Sequence, residues 1–174
     1  MKQYMILFSV GKDRPGIADD ISTLLFNCGA NIEDSRMAVL GGCFSIMTLF
    51  SCSGEQLEGI RKALPTLAPL GLDSFLHEAL DPTTAMRAPG RPLKFDVTAM
   101  DHPGIVRKLV HLLREHEVNV ETLNTQVSRA PLTGAPLFNL SLEGTVPAGR
   151  PIARVKEELQ RLAADMDLDL LFRS

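Results

Sequence analysis

The chain has 174 residues, 22% of them charged and 45% hydrophobic, with a formal net charge of −3 at pH 7. That is the composition of an ordinary soluble globular chain of one or two small domains. Its scattered basic residues argue against direct nucleic-acid binding. No run approaches the roughly 18 apolar residues of a membrane span, and the start carries no signal-peptide cleavage pattern, so a cytoplasmic protein without a membrane partner is expected.

In chain order, Tyr4 to Val10 is rich in strand formers, and Asp13-Arg14-Pro15-Gly16 then turns the chain into a helix expected from Ile17 to Asn27. Ile17, Ile21, Leu24 and Leu25 form its buried stripe, and Cys28-Gly29 ends it. Asn31 to Val39 and Phe44 to Cys52 read as strands joined by a Gly41-Gly42 hairpin. Leu57, Ile60, Leu64 and Leu67 recur at helical spacing, with Pro65 near that helix's end or kinking it, before a last strand at Leu72 to His77. The segment 81–92, with three prolines, reads as a linker.

The order then repeats. Asp101-His102-Pro103-Gly104-Ile105 and Asn119-Val120-Glu121 lie at one offset from Asp13-Arg14-Pro15-Gly16-Ile17 and Asn31-Ile32-Glu33, and Ile105, Leu109, Leu112 and Leu113 match the first helix's stripe. Strands are expected at Leu93 to Met100, Asn119 to Arg129, Leu137 to Leu142 and Leu168 to Phe172, and helices at Ile105 to His116 and Ile152 to Ala164. The hairpin lengthens into a surface loop across Ala130 to Pro136. The fold class expected is α+β: a βαββαβ unit of ferredoxin-like type duplicated in tandem, with domains at 1–80 and 93–174.

The recurring turn has two readings. Proline sets φ, glycine lets a ligand approach the backbone, and the N–H groups at the start of the helix suit a carboxylate. Asp13 and Asp101 would face a ligand's ammonium, and Asn31 and Asn119, at the mouth of the neighbouring strand, would add hydrogen bonds. Alternatively the motif is turn chemistry alone, with Asp as N-cap and Pro at the first helical position.

Catalytic signals are sparse: of His77, His102, His111 and His116, only His102 lies in a turn motif, its counterpart being Arg14. Such a swap suits ligand discrimination or a solvent-facing position rather than acid–base work. His111 and His116 have poor metal spacing and read as the polar side of their helix, so no metal and no cofactor are expected. Glu33 and Asp34 would point to opposite faces of a strand. Cys28, Cys43 and Cys52, odd in number and confined to the first copy, read as buried or half-buried reduced thiols. RNA recognition on this topology needs displayed aromatics, and the chain has no Trp and one Tyr.

Both copies resemble ACT domains, small amino-acid-binding regulatory modules, through Lys12-Asp13-Arg14-Pro15-Gly16-Ile17 and its counterpart. Through Cys28 to Arg36 and Met37 to Gly41 the whole chain resembles the tandem-ACT glycine cleavage system transcriptional repressor family. The resemblance implies a non-enzymatic regulator that senses glycine or another small amino acid and contacts a protein partner such as a transcriptional activator. A homodimer is expected. The resemblance implies an effector at an interface between the first turn of one domain and the second strand of its partner, and carries over as ligand-binding positions Asp13, Arg14, Pro15, Gly16, Ile17 and Asn31, with Asp101, His102, Pro103, Gly104, Ile105 and Asn119 in the second copy. Its alternatives are a dimerisation module without ligand, or a regulatory subunit of an amino-acid-metabolising enzyme.

Overall fold

A computed structural model of the chain describes residues 2–84, 89–130 and 134–173. The chain divides into two compact units, Met1–Met86 and Arg87–Ser174. In the first, β1 (Gln3–Lys12), α1 (Ile17–Asn27), β2 (Asn31–Leu40), β3 (Cys43–Cys52), α2 (Gly54–Ala63) and β4 (Leu72–Ala79) follow in order, with a 3-10 helix over Leu64–Leu70. The second runs β5 (Gly90–Met100), α3 (Ile105–Glu115), β6 (Asn119–Arg129), β7 (Pro136–Pro147), α4 (Ile152–Asp165) and β8 (Asp169–Phe172). The sheets are antiparallel with the same order, β2-β3-β1-β4 and β6-β7-β5-β8. This is the expected βαββαβ unit, twice.

Alternation places one row of each central strand against the helices. Met5, Leu7 and Ser9 of β1 and Phe44, Ile46 and Phe50 of β3 are buried with the α1 stripe Ile17, Ile21, Leu24 and Leu25. In the second unit Leu93, Phe95, Val97 and Ala99 meet Ile105, Leu109 and Leu113. Each such apolar side chain removed from water stabilises its unit by about 1.5–3 kcal/mol. Ser53 opens α2 through a capping box, its Oγ accepting from Gln56 N while Gln56 Oε1 accepts from Ser53 N. Pro65 ends the α-helical hydrogen bonding and opens the 3-10 helix, as its missing N–H requires.

Four local expectations change. First, β5 begins at Gly90 rather than Leu93, so Gly90, Arg91 and Pro92 of the supposed linker pair with Pro147, Val146 and Thr145. Second, β7 runs on to Pro147 instead of stopping at Leu142. Gly144, which looks like a break in the sequence, lies inside the strand because β6 bulges opposite it, and a Cβ there would sit 2.5 Å from the Asn119 carbonyl oxygen. Third, His116 is not on a polar face: it is 9% exposed at the end of α3, its Nε2 2.8 Å from Glu158 Oε2 on α4. His111 does face outward, 3.6 Å from Glu115. Fourth, Cys52 is buried and Cys28 half-buried, but Cys43 is exposed. Of the expected loop, Pro131-Leu132-Thr133 lies outside the described residues; its base is closed by Ala130 N donating to the Ala135 carbonyl. Among the described residues no helix is long and apolar enough to cross a membrane, and no group of three or more His, Cys, Asp or Glu side chains is arranged to hold a metal ion.

Two outcomes are expected from these contacts. Gly144→Ala forces backbone apart at the β6 bulge and should destabilise the second unit by about 1–3 kcal/mol, read as a lower thermal midpoint. The hydrogen bond from His116, then that from Arg154, holds the Glu158 carboxyl below its ordinary pKa. A depressed carboxylate stabilises the fold above its unfolded pKa and loses that contribution as pH falls through the folded one. The stability gap between wild type and Glu158→Gln should therefore be full near neutrality and close as pH falls below the ordinary glutamate pKa and through the lower folded one. A gap that does not change with pH would mean that the ionised carboxylate adds no stability of its own.

Candidate functional site

The site begins where a central strand passes into a helix. Gly16 and Gly104 occupy the N-cap with φ of 89° and 101°, a left-handed conformation that a side chain strains. This overturns the capping alternative: neither Asp13 nor Asp101 caps its helix, and Pro15 and Pro103 precede the glycine rather than open the helix. The first helical acceptors are Gly16 and Gly104 themselves, whose carbonyls receive Asp20 N and Lys108 N. The N–H groups of the residues between, Ile17 to Asp19 and Ile105 to Arg107, are those a helix leaves without an internal partner. Helix dipole and open donors together favour an anion there.

The two turns are anchored alike at their start. Asp13 N donates to the Gly42 carbonyl at 2.9 Å, and Asp101 N to the Pro136 carbonyl at 3.2 Å, fixing each loop to the neighbouring hairpin. Asp13, Pro15 and Gly16 are exposed, as are Asp101, His102, Pro103 and Gly104, while the Ile17 and Ile105 side chains belong to the cores and offer only backbone to a ligand.

Their charges differ. Arg14 is committed within the protein: Nη2 donates to Asp20 Oδ2 at 2.7 Å and to the Leu70 carbonyl at 3.4 Å, and Nη1 to the Pro15 carbonyl at 3.3 Å. With Asp19 beside Asp20, the first turn of α1 carries two carboxylates where an incoming anion would approach. In the second unit Arg14 is replaced by His102, whose Nδ1 lies 3.2 Å from the Pro103 carbonyl oxygen, and Asp20 by Lys108. Arg107 and Lys108 stand exposed in the first turn of α3, which has no acidic residue. Asp20, Arg107 and Lys108 were missed in the sequence. Aligning the copies shows the signal, because Arg14 and Asp20 change together.

Asn31 and Asn119 do not join the turns within their units. β2 runs parallel to β1, so Asn31 pairs with Ser51, which pairs with Tyr4 at the start of β1, whereas the turn follows its end at Lys12. Asn119, Thr145 and Pro92 repeat this in the second unit. The separation is about eight residues of strand, roughly 26 Å. The mouth expected for these asparagines is therefore at the far end of each sheet.

There the Asn-x-Glu motif has a structural use. Glu33 and Glu121 are the extra residues of matching β-bulges. Glu33 Oε1 accepts from Ser51 Oγ at 2.6 Å, Asn31 Nδ2 at 3.3 Å and Lys2 Nζ at 3.2 Å, and Glu121 Oε1 accepts from Thr145 Oγ1 at 2.7 Å. The Ser51 hydroxyl, then Asn31 and Lys2, pull the Glu33 carboxyl below its ordinary pKa. Open depressions flank both ends of the first sheet. One of about 390 Å³ is lined by Val10, Gly11, Ala68, Gly71, Leu72 and Asp73. Another of about 350 Å³ includes Lys2, Asn31, Ser51 and Gln56 in its lining.

Residues 3–73 match the ACT domain family model. Over 168 residues, 95% of this chain and 87% of theirs, the chain is 28% identical to the glycine cleavage system transcriptional repressors of Escherichia coli strain K12 and Shigella flexneri. A crystal structure of an unknown protein from Galdieria sulphuraria superposes with a TM-score of 0.82 at 27% identity, covering 99% of this chain and 98% of that one. A candidate glycine cleavage system transcriptional repressor shares the fold at a TM-score of 0.72 and 22% identity, covering 99% and 97%. Residues 3–73 thus match the ACT domain model, the second unit repeats the same strand order, and over nearly its whole length the chain resembles the glycine cleavage system transcriptional repressors.

Proposed function

We propose that this chain is a non-enzymatic regulator that senses glycine or another small amino acid and passes the signal by contact with a partner protein, in the manner its relatives' name, glycine cleavage system transcriptional repressor, suggests. The observation that carries the reading is the second turn. Gly104 turns the strand directly into α3, and the N–H groups that follow sit among His102, Arg107 and Lys108 with no acidic neighbour in the helix's first turn. The ligand's carboxylate is received by those N–H groups. Its ammonium is met by Asp101, which does not cap the helix. The ligand changes the regulator's state only to the extent that it binds one arrangement better than another.

The first turn has the same backbone with Asp19 and Asp20 at its entrance and Arg14 held by Asp20, which favours a weaker site or a structural role there. Asp13, Arg14, Pro15, Gly16 and Ile17 are therefore the secondary receptor of this proposal.

Calorimetry with a panel of free amino acids, glycine first, tests it. Saturable heat is expected, and Arg107→Asp/Lys108→Asp, which copies the first unit's acidic turn, should weaken binding at least tenfold. Acidic residues in a helix's first turn are favourable, so the variant should keep its fold. The same two changes leave the N–H groups in place, which isolates charge from geometry. No heat with any amino acid would instead mark a structural module.

A further inference from the structure

The duplicated sheets have equivalent backbones and opposite outer faces. On the side away from the helices, the first unit presents Ile6 and Leu49 as neighbours on β1 and β3, and Met47, Phe8 and Phe75 in a row across β3, β1 and β4. Phe8 and Phe75 stack with centroids 4.8 Å apart and planes at 9°. Phe75 remains 57% exposed, Met47 47% and Val10 40%. At the matching positions the second unit carries Lys94 and Glu143 for Ile6 and Leu49, and Ser141 and Asp96 for Met47 and Phe8. Those groups satisfy one another: Lys94 lies 4.0 Å from Glu143, and Arg173 lies 3.1 Å from Asp96 and 3.4 Å from Glu143.

We propose that the open face of the first unit's sheet is a self-complementary interface on which the same face of a second copy of this chain packs. A duplicated sheet has no folding need for an apolar row across its outer face, because the second unit folds with Asp96, Ser141, Lys94 and Glu143 there and only Leu171 keeps an apolar place. A contiguous apolar face of this kind marks an interaction surface. Four strands about 4.8 Å apart, with about eight residues each rising about 3.3 Å, give a face of roughly 500 Å². Two such faces together hide roughly 1,000 Å², the area a specific interface must clear.

A copy of the same face is the fitting occupant. Its apolar row meets an apolar row about a two-fold axis, with sheets about 10 Å apart, and Phe75 and Met47 find apolar partners. A face like the second unit's would have to surrender the ion pairs of Lys94, Asp96, Glu143 and Arg173 against hydrocarbon. Around the apolar row, Arg36 and Asp34 pair with each other on β2, while Asp73 and His77 stand exposed on β4, a polar rim of the sort interfaces carry. This inference is independent of the ligand reading above.

The experiment is sedimentation equilibrium on the full chain across a wide concentration range, with circular dichroism as the fold check. Wild type should have twice the chain mass. Phe75→Asp and Met47→Asp, both at exposed positions, should each weaken the dimer at least tenfold with an unchanged spectrum. Leu171→Asp, at the second unit's counterpart of Phe75 and 67% exposed, should leave the dimer intact. A wild-type chain that stays monomeric overturns the proposal, and assigns the face to another occupant. So does a dimer that survives both substitutions, since it is then built elsewhere, as along the β2 edge.

Discussion

The candidate site depends on one backbone constraint, the left-handed glycine at the N-cap that turns a central strand directly into a helix without a side-chain cap. At φ of 89° and 101°, Gly16 and Gly104 turn the chain in one step, and the first helical N–H groups are left facing outward. A side-chain cap would have consumed them. Because Asp13 and Asp101 instead anchor their loops through their main-chain N–H groups, each carboxylate is left out of the capping arrangement. The turn therefore combines fixed donors with an acidic group, the pair of functions a zwitterion demands.

Duplication copied that backbone and then let its surroundings diverge. In the first unit the Arg14–Asp20 pair ties the turn to the 3-10 helix through the Leu70 carbonyl. In the second, both members are replaced and the turn becomes basic. The sheet faces diverged in the other direction, apolar in the first unit and ion-paired in the second. Under the two proposals above, these contrasts amount to a division of labour, with association on the first unit and anion binding on the second.

The element order was legible because periodicity reports burial. The stripe Ile17, Ile21, Leu24 and Leu25 and its repeat placed both first helices, and alternation placed the strands to within a residue or two except at the start of β5 and the end of β7. The strand expected to end at Leu142 runs on to Pro147 past Gly144, which is accommodated by its partner's bulge, and that bulge depends on pairing across the sheet. The position of Asn31 relative to its own unit's turn was hidden for the same kind of reason. Closeness in sequence to a second strand says nothing about which end of the sheet it enters, and β2 enters at the end remote from the turn. The glutamate of the Asn-x-Glu motif has a structural use that the sequence did not show, holding the bulge through Ser51 and Asn31. The turn's place was legible because proline and glycine carry their conformational rules with them, but its charged surroundings at Asp20, Arg107 and Lys108 were not.

The central claim, that backbone N–H groups at the second turn receive a carboxylate, is tested most directly by amide NMR during titration with glycine and then with other free amino acids. The account predicts that the largest saturable shifts fall on the amides of Ile105, Val106 and Arg107, with smaller ones at Ile17 to Asp19. Shifts confined to other parts of the fold, or a spectrum unchanged by every amino acid, would contradict it.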